Sequence, residues 1–284
     1  MKRASVIMRI LARPTGIVAA MGLLTVILAA ILGPEMYHVN PMKISRNTFI
    51  PPGVAHPMGT DHLGREILAQ FLAGARSSLF VGITAAIIAT TIGITVGGAA
   101  GYYSGRVDDL LMRITEFFQT IPIFFLAIIA VAFVGPSLTN IIMVIGFLAW
   151  PKMARVTRSQ FLAIKEREFI EASRAVGASG GRLVFKGILP NALPPITVIS
   201  SLLIAEAILL EAYLGFLGMG DPSVPSWGMM LYTAQQYLFQ AWWMMAFPGF
   251  GIFISVLCFN LLGDALNDVL NPLTQSKRAA IKTR

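Results

Sequence analysis

Charged residues are scarce in this chain of 284 residues. They make up 13% of the sequence, while hydrophobic residues make up 56% and the mean hydropathy is +0.72. A soluble globular domain carries roughly 25% charged residues, because its surface contacts water. The shortage excludes an ordinary soluble enzyme and indicates that much of the surface contacts lipid.

Cysteine and phosphate-binding motifs are also nearly or wholly missing. The single cysteine, Cys258, lies within an apolar run, which excludes a disulfide framework within the chain and leaves the redox compartment open. No G-x-x-x-x-G-K-[ST] loop is present, so the chain cannot hydrolyse ATP by that route. We predict that it is not an enzyme and needs no cofactor.

The net charge of +8 does not indicate a nucleic-acid partner. The Lys and Arg residues cluster between long apolar runs, and no basic stripe carries the interleaved aromatic residues that nucleic acid needs. The apolar runs themselves predict an all-α integral membrane protein, because a helix needs roughly 20 apolar residues to cross a bilayer. About six transmembrane helices are predicted, near 16–32, within 77–105, and near 117–134, 139–154, 192–217 and 246–262.

The first predicted span and the uncharged interval 117–151 each allow a competing interpretation. A cleaved signal peptide competes with an uncleaved first span, and the absence of a clear small-x-small cleavage site favours the span. The interval 117–151 carries no charge and would make a helix of roughly 50 Å, which is too long for one crossing. Its residues Gly135 to Asn140 therefore predict a tight turn between two spans.

Local patterns predict further packing features. The glycines at 93, 97, 101 and 105 share one helix face and allow close approach of another helix, within one subunit rather than as a dimer motif. Trp242 and Trp243 are suited to a membrane interface. Residues 221–245 predict a turn followed by a helix in or near that interface. We also expect Thr60 or Asp61 to cap a short interfacial helix containing Leu63 and Ile67.

Basic residues predict the orientation. With the amino terminus inside, the inner segments hold 18 of the 22 Lys and Arg residues, so both termini are predicted to be cytoplasmic. In chain order, the sequence predicts a cytoplasmic tail at 1–15, the first span and outer segment at 16–76, a five-span core at 77–275, and a basic cytoplasmic tail at 276–284.

The inner loop at 152–191 is the longest and most charged. Residues 160–176 favour a helix, Gly177 can end it, and 182–189 can form a second short helix before Pro190. These features predict a helix–turn–helix knob that docks into a groove on a partner. The alternative is an amphipathic loop lying on anionic lipid.

This loop resembles the EAA motif of permease subunits in bacterial ATP-driven importers, E-A-A-x-x-x-G followed by I-x-L-P. The matching residues are Glu171, Ala172, Ser173 in the third place, Gly177, and Leu189 with Pro190. The expected Ile position holds Gly187, with Ile188 one residue later. The segments 59–79, 211–220, 226–231 and 260–272 resemble the dipeptide, oligopeptide and nickel importer subfamily, although Asn267 stands where an Arg is usual.

The resemblance implies a type I ABC importer permease bundle in the bacterial inner membrane. Its implied partners are a second similar permease, two ATPase subunits, an extracytoplasmic solute-binding protein and membrane lipid. The implied ATPase-coupling residues are Arg167, Glu168, Glu171, Ala172, Ser173, Gly177, Leu189 and Pro190.

Acidic residues in and near the spans, and the three histidines, have separate interpretations. Glu206 and Glu211 are costly inside a membrane and are possible intramembrane sites, but they project about 140° apart on a helix and should not share one. For Asp264 and Asp268 we prefer a solvated inner-face pair or a partner contact. No metal site is predicted, because the spacing of His38, His56 and His62 forms no compact ligand motif.

The predicted function is peptide transport as the permease of an ATP-driven importer. Nickel or another small solute is the alternative cargo. A passive channel or an ion-coupled carrier would want polar residues along several spans, and these spans have almost none beyond Glu206 and Glu211. A membrane enzyme would need clustered His, Asp, Glu or Cys, which the sequence does not offer.

Overall fold

The computed structural model describes residues 6–270, so the predicted tail at 276–284 and residues 1–5 lie outside it. No strand occurs within the described residues. The helices are Val6–Leu11 (α1), Pro14–Met36 (α2), Ile67–Tyr103 (α3), Gly105–Thr120 (α4), Ile123–Val134 (α5), Leu138–Leu148 (α6), Trp150–Lys165 (α7), Glu168–Ala175 (α8), Gly180–Arg182 (α9), Leu189–Leu214 (α10), Trp227–Ala234 (α11) and Trp243–Leu270 (α12).

Four helical segments are long and apolar enough to cross a membrane. They are α2, α3, α12 and the continuous segment Gly180–Met219, in which π-helical turns at Leu183–Ile188 and Gly215–Met219 flank α10. A fifth crossing exists if α4 and α5, which meet at 85°, count as one broken span. The first, second, fifth and sixth predicted spans therefore correspond to single helices, each longer than predicted.

The third and fourth predicted spans are divided between helices. Residues 117–134 are interrupted at Ile121, whose extended backbone follows from the proline after it, because Pro disfavours the helical conformation in the preceding residue. Residues 139–154 are interrupted at Ala149, where α6 ends after 11 residues and α7 begins with Pro151 in its first turn. Short α5 and α6 instead form a hairpin.

The turn of this hairpin lies where the sequence predicts it. Gly135 has a φ of 91°, and the Ser137 hydroxyl accepts from the Asn140 backbone amide at 3.2 Å to cap α6. The Asn140 side chain donates to the Val134 carbonyl at 2.8 Å. These hydrogen bonds satisfy polar groups of the turn within the chain itself, which an apolar environment could not do.

The predicted glycine face forms a close helix contact. Gly93, Gly97 and Gly101 of α3 lie against α7, and a Cβ added at Gly97 would meet the Ala154 carbonyl oxygen at 2.2 Å. This close approach within the chain confirms packing inside one subunit as the role of these three residues. Gly105 does not belong to the face, because it begins α4 with a φ of 56°.

The predicted short helix at Thr60–Asp61 is wrong. Both residues are buried in an irregular segment, and the helix begins only at Ile67. Its N-cap residue is Glu66, whose side chain forms no capping hydrogen bond. Asp61 instead accepts from the Leu63 and Arg65 amides, each at 2.8 Å, which satisfies the carboxylate within a turn. The helix predicted within 221–245 does form, as α11, and Ser226 caps it.

Candidate functional site

The predicted knob folds as a lobe, here defined as residues 166–190. Helix α8 ends at Ala175, Val176 is its C-cap, and Gly177 follows with a φ of 84°. The Ala178 amide donates to the Ser173 carbonyl at 3.1 Å and the Gly177 amide to the Arg174 carbonyl at 3.0 Å. These two bonds form a Schellman motif, which needs a left-handed residue at this position and explains the glycine.

The lobe packs on the bundle through three buried side chains, Ile170, Leu183 and Ile188, which share a core cluster with α7. Ile170 is fully buried against the π-helical turn, and a Cβ added at Gly187 would meet its Cδ1 at 2.7 Å. Gly187 therefore replaces the expected isoleucine because Ile170 fills that space. A π-helical turn holds an extra residue, and Ile188, one position later, is the residue that is fully buried.

The opposite face of the lobe is exposed. Glu168, Glu171 and Ala172 lie on it beside Phe169 and Val176, whose side chains are 44% and 86% exposed. No ion pair joins either glutamate to another residue in the part of the chain that the structure describes. An apolar surface with free carboxylates at its edge is a suitable docking face.

The remaining predicted coupling residues occupy supporting positions. Arg167 precedes α8 in an extended conformation, and the Ser173 hydroxyl donates to the Phe169 carbonyl at 2.7 Å. Leu189 is partly buried and Pro190 is exposed in the first turn of α10. The structure thus brings all eight residues into one lobe but divides them between an exposed face and its scaffold.

Two polar contacts fix α7, from which the lobe projects. The Lys165 ammonium donates to the Tyr102 carbonyl at 2.7 Å and to the Ser104 hydroxyl at 3.0 Å. Arg158 donates through two nitrogens to both carboxylate oxygens of Asp108 in α4, at 2.5 and 2.6 Å. Hydrogen bonding with Asp108 raises the pKa of Arg158 above its ordinary value. These charge-assisted hydrogen bonds hold α7, and with it the start of the lobe, against the neighbouring helices.

The two glutamates of α10 lie on different sides of the helix, as their spacing predicts. Glu211 is buried, and the Ser78 hydroxyl of α3 donates to its carboxyl group at 3.0 Å. The same Ser78 oxygen accepts from the Trp227 amide at 3.3 Å, so the cluster joins α3, α10 and α11. The contacts of Glu211 are therefore those of structural pairing within the bundle.

Glu206 lies at an open cavity of about 460 Å³ between α5, α6 and α10. It forms an ion pair with Lys152 of α7, and both side chains are about half exposed. The sequence did not predict a role for Lys152, because this residue belongs to the charged inner loop 152–191. The same residue also lies within the predicted span 139–154. That overlap was the available signal.

The contacts of the peripheral polar residues separate Asp268 from Asp264 and give partners to two of the histidines. Asp268 forms an ion pair with Arg13 although its side chain is 42% exposed, whereas Asp264 is exposed and does not share this pair. This contact joins the two ends of the described chain. Among the histidines, His56 pairs with Glu66 and His62 stacks on Tyr237 at 5.0 Å between ring centroids.

Comparisons with known proteins agree on one family. Residues 89–276 match the family described as binding-protein-dependent transport system inner membrane component. A dipeptide transport system permease protein of Alkalihalophilus pseudofirmus is 41% identical over 256 residues, which cover 89% of this chain and 83% of that protein. A di/tripeptide transport system permease protein of Pseudomonas aeruginosa is 37% identical over 258 residues, covering 88% and 85%.

The fold has a counterpart among solved structures. A chain of the MetNI methionine ABC transporter, in an inward-facing conformation, aligns with a TM-score of 0.59 and 23% sequence identity. The alignment covers 70% of this chain and 96% of that chain. At this identity the likeness concerns the helical architecture alone.

Proposed function

Because this chain belongs to the family of binding-protein-dependent transport system inner membrane components, we propose that it moves short peptides across that membrane in an ATP-driven importer. It is a multi-pass protein of the bacterial inner membrane and a permease subunit. Its relatives at 37% and 41% identity are named for dipeptides and tripeptides, which supports a peptide cargo over nickel.

The exposed face of the lobe is the observation that carries the coupling proposal. The lobe lies in the cytoplasm, with both termini on the same side, and docks into a groove on an ATPase subunit. Phe169 and Val176 supply apolar contact area, and Glu168 and Glu171 supply charges for basic partner residues. Two ATPase subunits, a second similar permease and an extracytoplasmic solute-binding protein complete the importer.

The lobe is built to transmit a displacement. Its Ile170 packs on the π-helical turn that continues into α10, and the helical segment Gly180–Met219 extends for about 60 Å at 1.5 Å per residue. Movement of an attached ATPase would therefore tilt this whole segment. Such tilting exposes a path alternately to the two sides of the membrane.

Replacing Gly177 tests the coupling proposal. Gly177→Asp should lower ATP-dependent peptide uptake at least tenfold, because a side chain at φ 84° costs about 1–2 kcal/mol and disturbs the Schellman motif. The amount of protein in the membrane should stay unchanged. Uptake of a radiolabelled dipeptide and co-purification of the ATPase subunits are the measurements.

Gly181→Ala is the matched control. Gly181 lies in the same lobe, has no neighbour within 4 Å of an added Cβ and has an ordinary helical backbone, so its variant should behave as wild type. Normal uptake by Gly177→Asp, with the ATPase still bound, would contradict the proposed role of the lobe.

A further inference from the structure

An ion pair lies far from the ends of the apolar helices and is nevertheless exposed on the surface of the chain. Glu206 is separated from Met219 by about 20 Å of helix and from Pro190, the last residue of the lobe, by about 24 Å, at 1.5 Å per residue. It is therefore far from both ends of its membrane-crossing segment. Glu206 and Lys152 contact each other, yet both side chains remain about half exposed on the surface of this chain.

Lipid is a poor neighbour for this pair. A charged side chain at the centre of a membrane is costly, and such residues face the interior of an assembly or a water-filled cavity. By contrast, α2 exposes Met21, Leu24 and Leu28, side chains suited to lipid. The face that carries Glu206 is thus distinguished from a lipid-facing surface by its charge.

The cavity beside the pair has the properties of a small-ligand site. Its volume of about 460 Å³ falls within the roughly 300–1,000 Å³ of such pockets. The walls are mainly apolar, and they include Phe124, Ile145, Ala149, Ala207, Leu210 and Tyr213. Only Glu206 brings a charged group into the lining, and Lys152 reaches it from α7.

We propose that this cavity forms one wall of the cargo path and receives a zwitterionic peptide, with Glu206 binding its ammonium group and Lys152 its carboxylate. This inference rests on the proposed function. The cargo exchanges one internal ion pair for two pairs with the protein, so charge stays balanced at every stage. The apolar walls accept side chains of different shapes. Binding that replaces an existing pair is weak enough to permit release, as transport requires.

The first experiment uses the complete importer in proteoliposomes with its peptide-loaded binding protein. Glu206→Gln should lower uptake of a dipeptide with a free amino terminus roughly tenfold, the effect of one lost charge-assisted hydrogen bond. It should change uptake of the N-acetylated peptide less than twofold. Lys152→Gln should show the mirror pattern, with the C-amidated peptide spared.

Controls separate this inference from a structural role and from the proposed function. Glu35→Gln, which removes an exposed carboxylate at the end of α2, should change no uptake. Equal losses for free and blocked peptides in both variants would overturn the inference, because the pair would then act only structurally. A wild-type importer with no ATP-dependent peptide uptake would instead overturn the proposed function.

Thiol labelling provides a second, independent test. In a Cys258→Ser background, Glu206→Cys should react with a membrane-impermeant thiol reagent in the assembled importer, and excess dipeptide should slow the reaction. Met21→Cys on α2 is the lipid-facing control and should not react. Absence of labelling at position 206 in every nucleotide state would show a permanently covered surface and overturn the inference.

Discussion

Two glutamates on α10, five residues apart, have opposite surroundings. Glu211 is buried and bonded to Ser78 of the neighbouring α3, whereas Glu206 is about half exposed at a cavity and paired with Lys152. The first holds three helices of this chain together. The second is paired but not enclosed by the chain that carries it.

The difference teaches how to interpret a carboxylate in a membrane helix. A carboxylate is costly in an apolar environment, so each of the two has a polar partner. Where the partner lies inside the bundle, the residue serves packing. Where both partners remain accessible, the residue is available to something outside the chain.

The largest expected effect comes from placing the same cation at both positions. Glu211→Lys buries an unpaired charge and should destabilise the protein by about 3 kcal/mol or more, so that little monodisperse protein survives detergent extraction. Glu206→Lys should destabilise the protein less than Glu211→Lys does, because the side chain at position 206 is half exposed at an open cavity, where it can move away from Lys152. Thermal unfolding in detergent measures both, and similar losses at the two positions would remove the contrast.

A smaller effect is expected at the close contact between α3 and α7. Gly97→Val drives a side chain into the Ala154 backbone and should cost about 1–3 kcal/mol, since α3 and α7 must separate. Gly249→Ala is the control, because nothing lies within 4 Å of its added Cβ. The same unfolding assay applies, and equal melting temperatures for the two variants would contradict the close α3–α7 contact.

The smallest effect is expected at Asp221, in the turn after the Gly180–Met219 segment. Hydrogen bonding from Ser223 is the main reason that its pKa falls below the ordinary value of 3.8, and burial opposes the shift. Its carboxylate also accepts from the Leu138 amide at the start of α6, at 3.2 Å. Asp221→Asn should therefore destabilise by about 1 kcal/mol at neutral pH.

The pH dependence of this contribution has a definite sign. A carboxylate with a lowered folded pKa stabilises the protein above its unfolded pKa and loses that contribution as pH falls through the folded value. The stability difference between wild type and Asp221→Asn should thus be constant near neutrality and shrink below about pH 4. A difference that instead grows with acidification would contradict the assigned hydrogen bonds.

Much of the candidate site could be predicted from local sequence. The glycine at 177 and the end of the helix before it follow from helix-ending signals within one loop, but the predicted helix at 160–176 is divided between α7 and α8. The offset between Gly187 and Ile188 could not be predicted, because it depends on Ile170 from another helix and on a π-helical turn. The Arg13–Asp268 pair was missed for the same reason, since its residues are distant in the chain.

The sequence alone determined that this is a helical membrane protein with a glycine-hinged loop, because hydropathy, helix length and turn chemistry act over neighbouring residues. Only the tertiary structure decided that α4 and α5 meet at 85°, that Glu211 is enclosed, and that Lys152 reaches Glu206. These outcomes depend on which helix faces pack together. Packing of that kind is a property of the whole bundle and leaves little trace in any single segment.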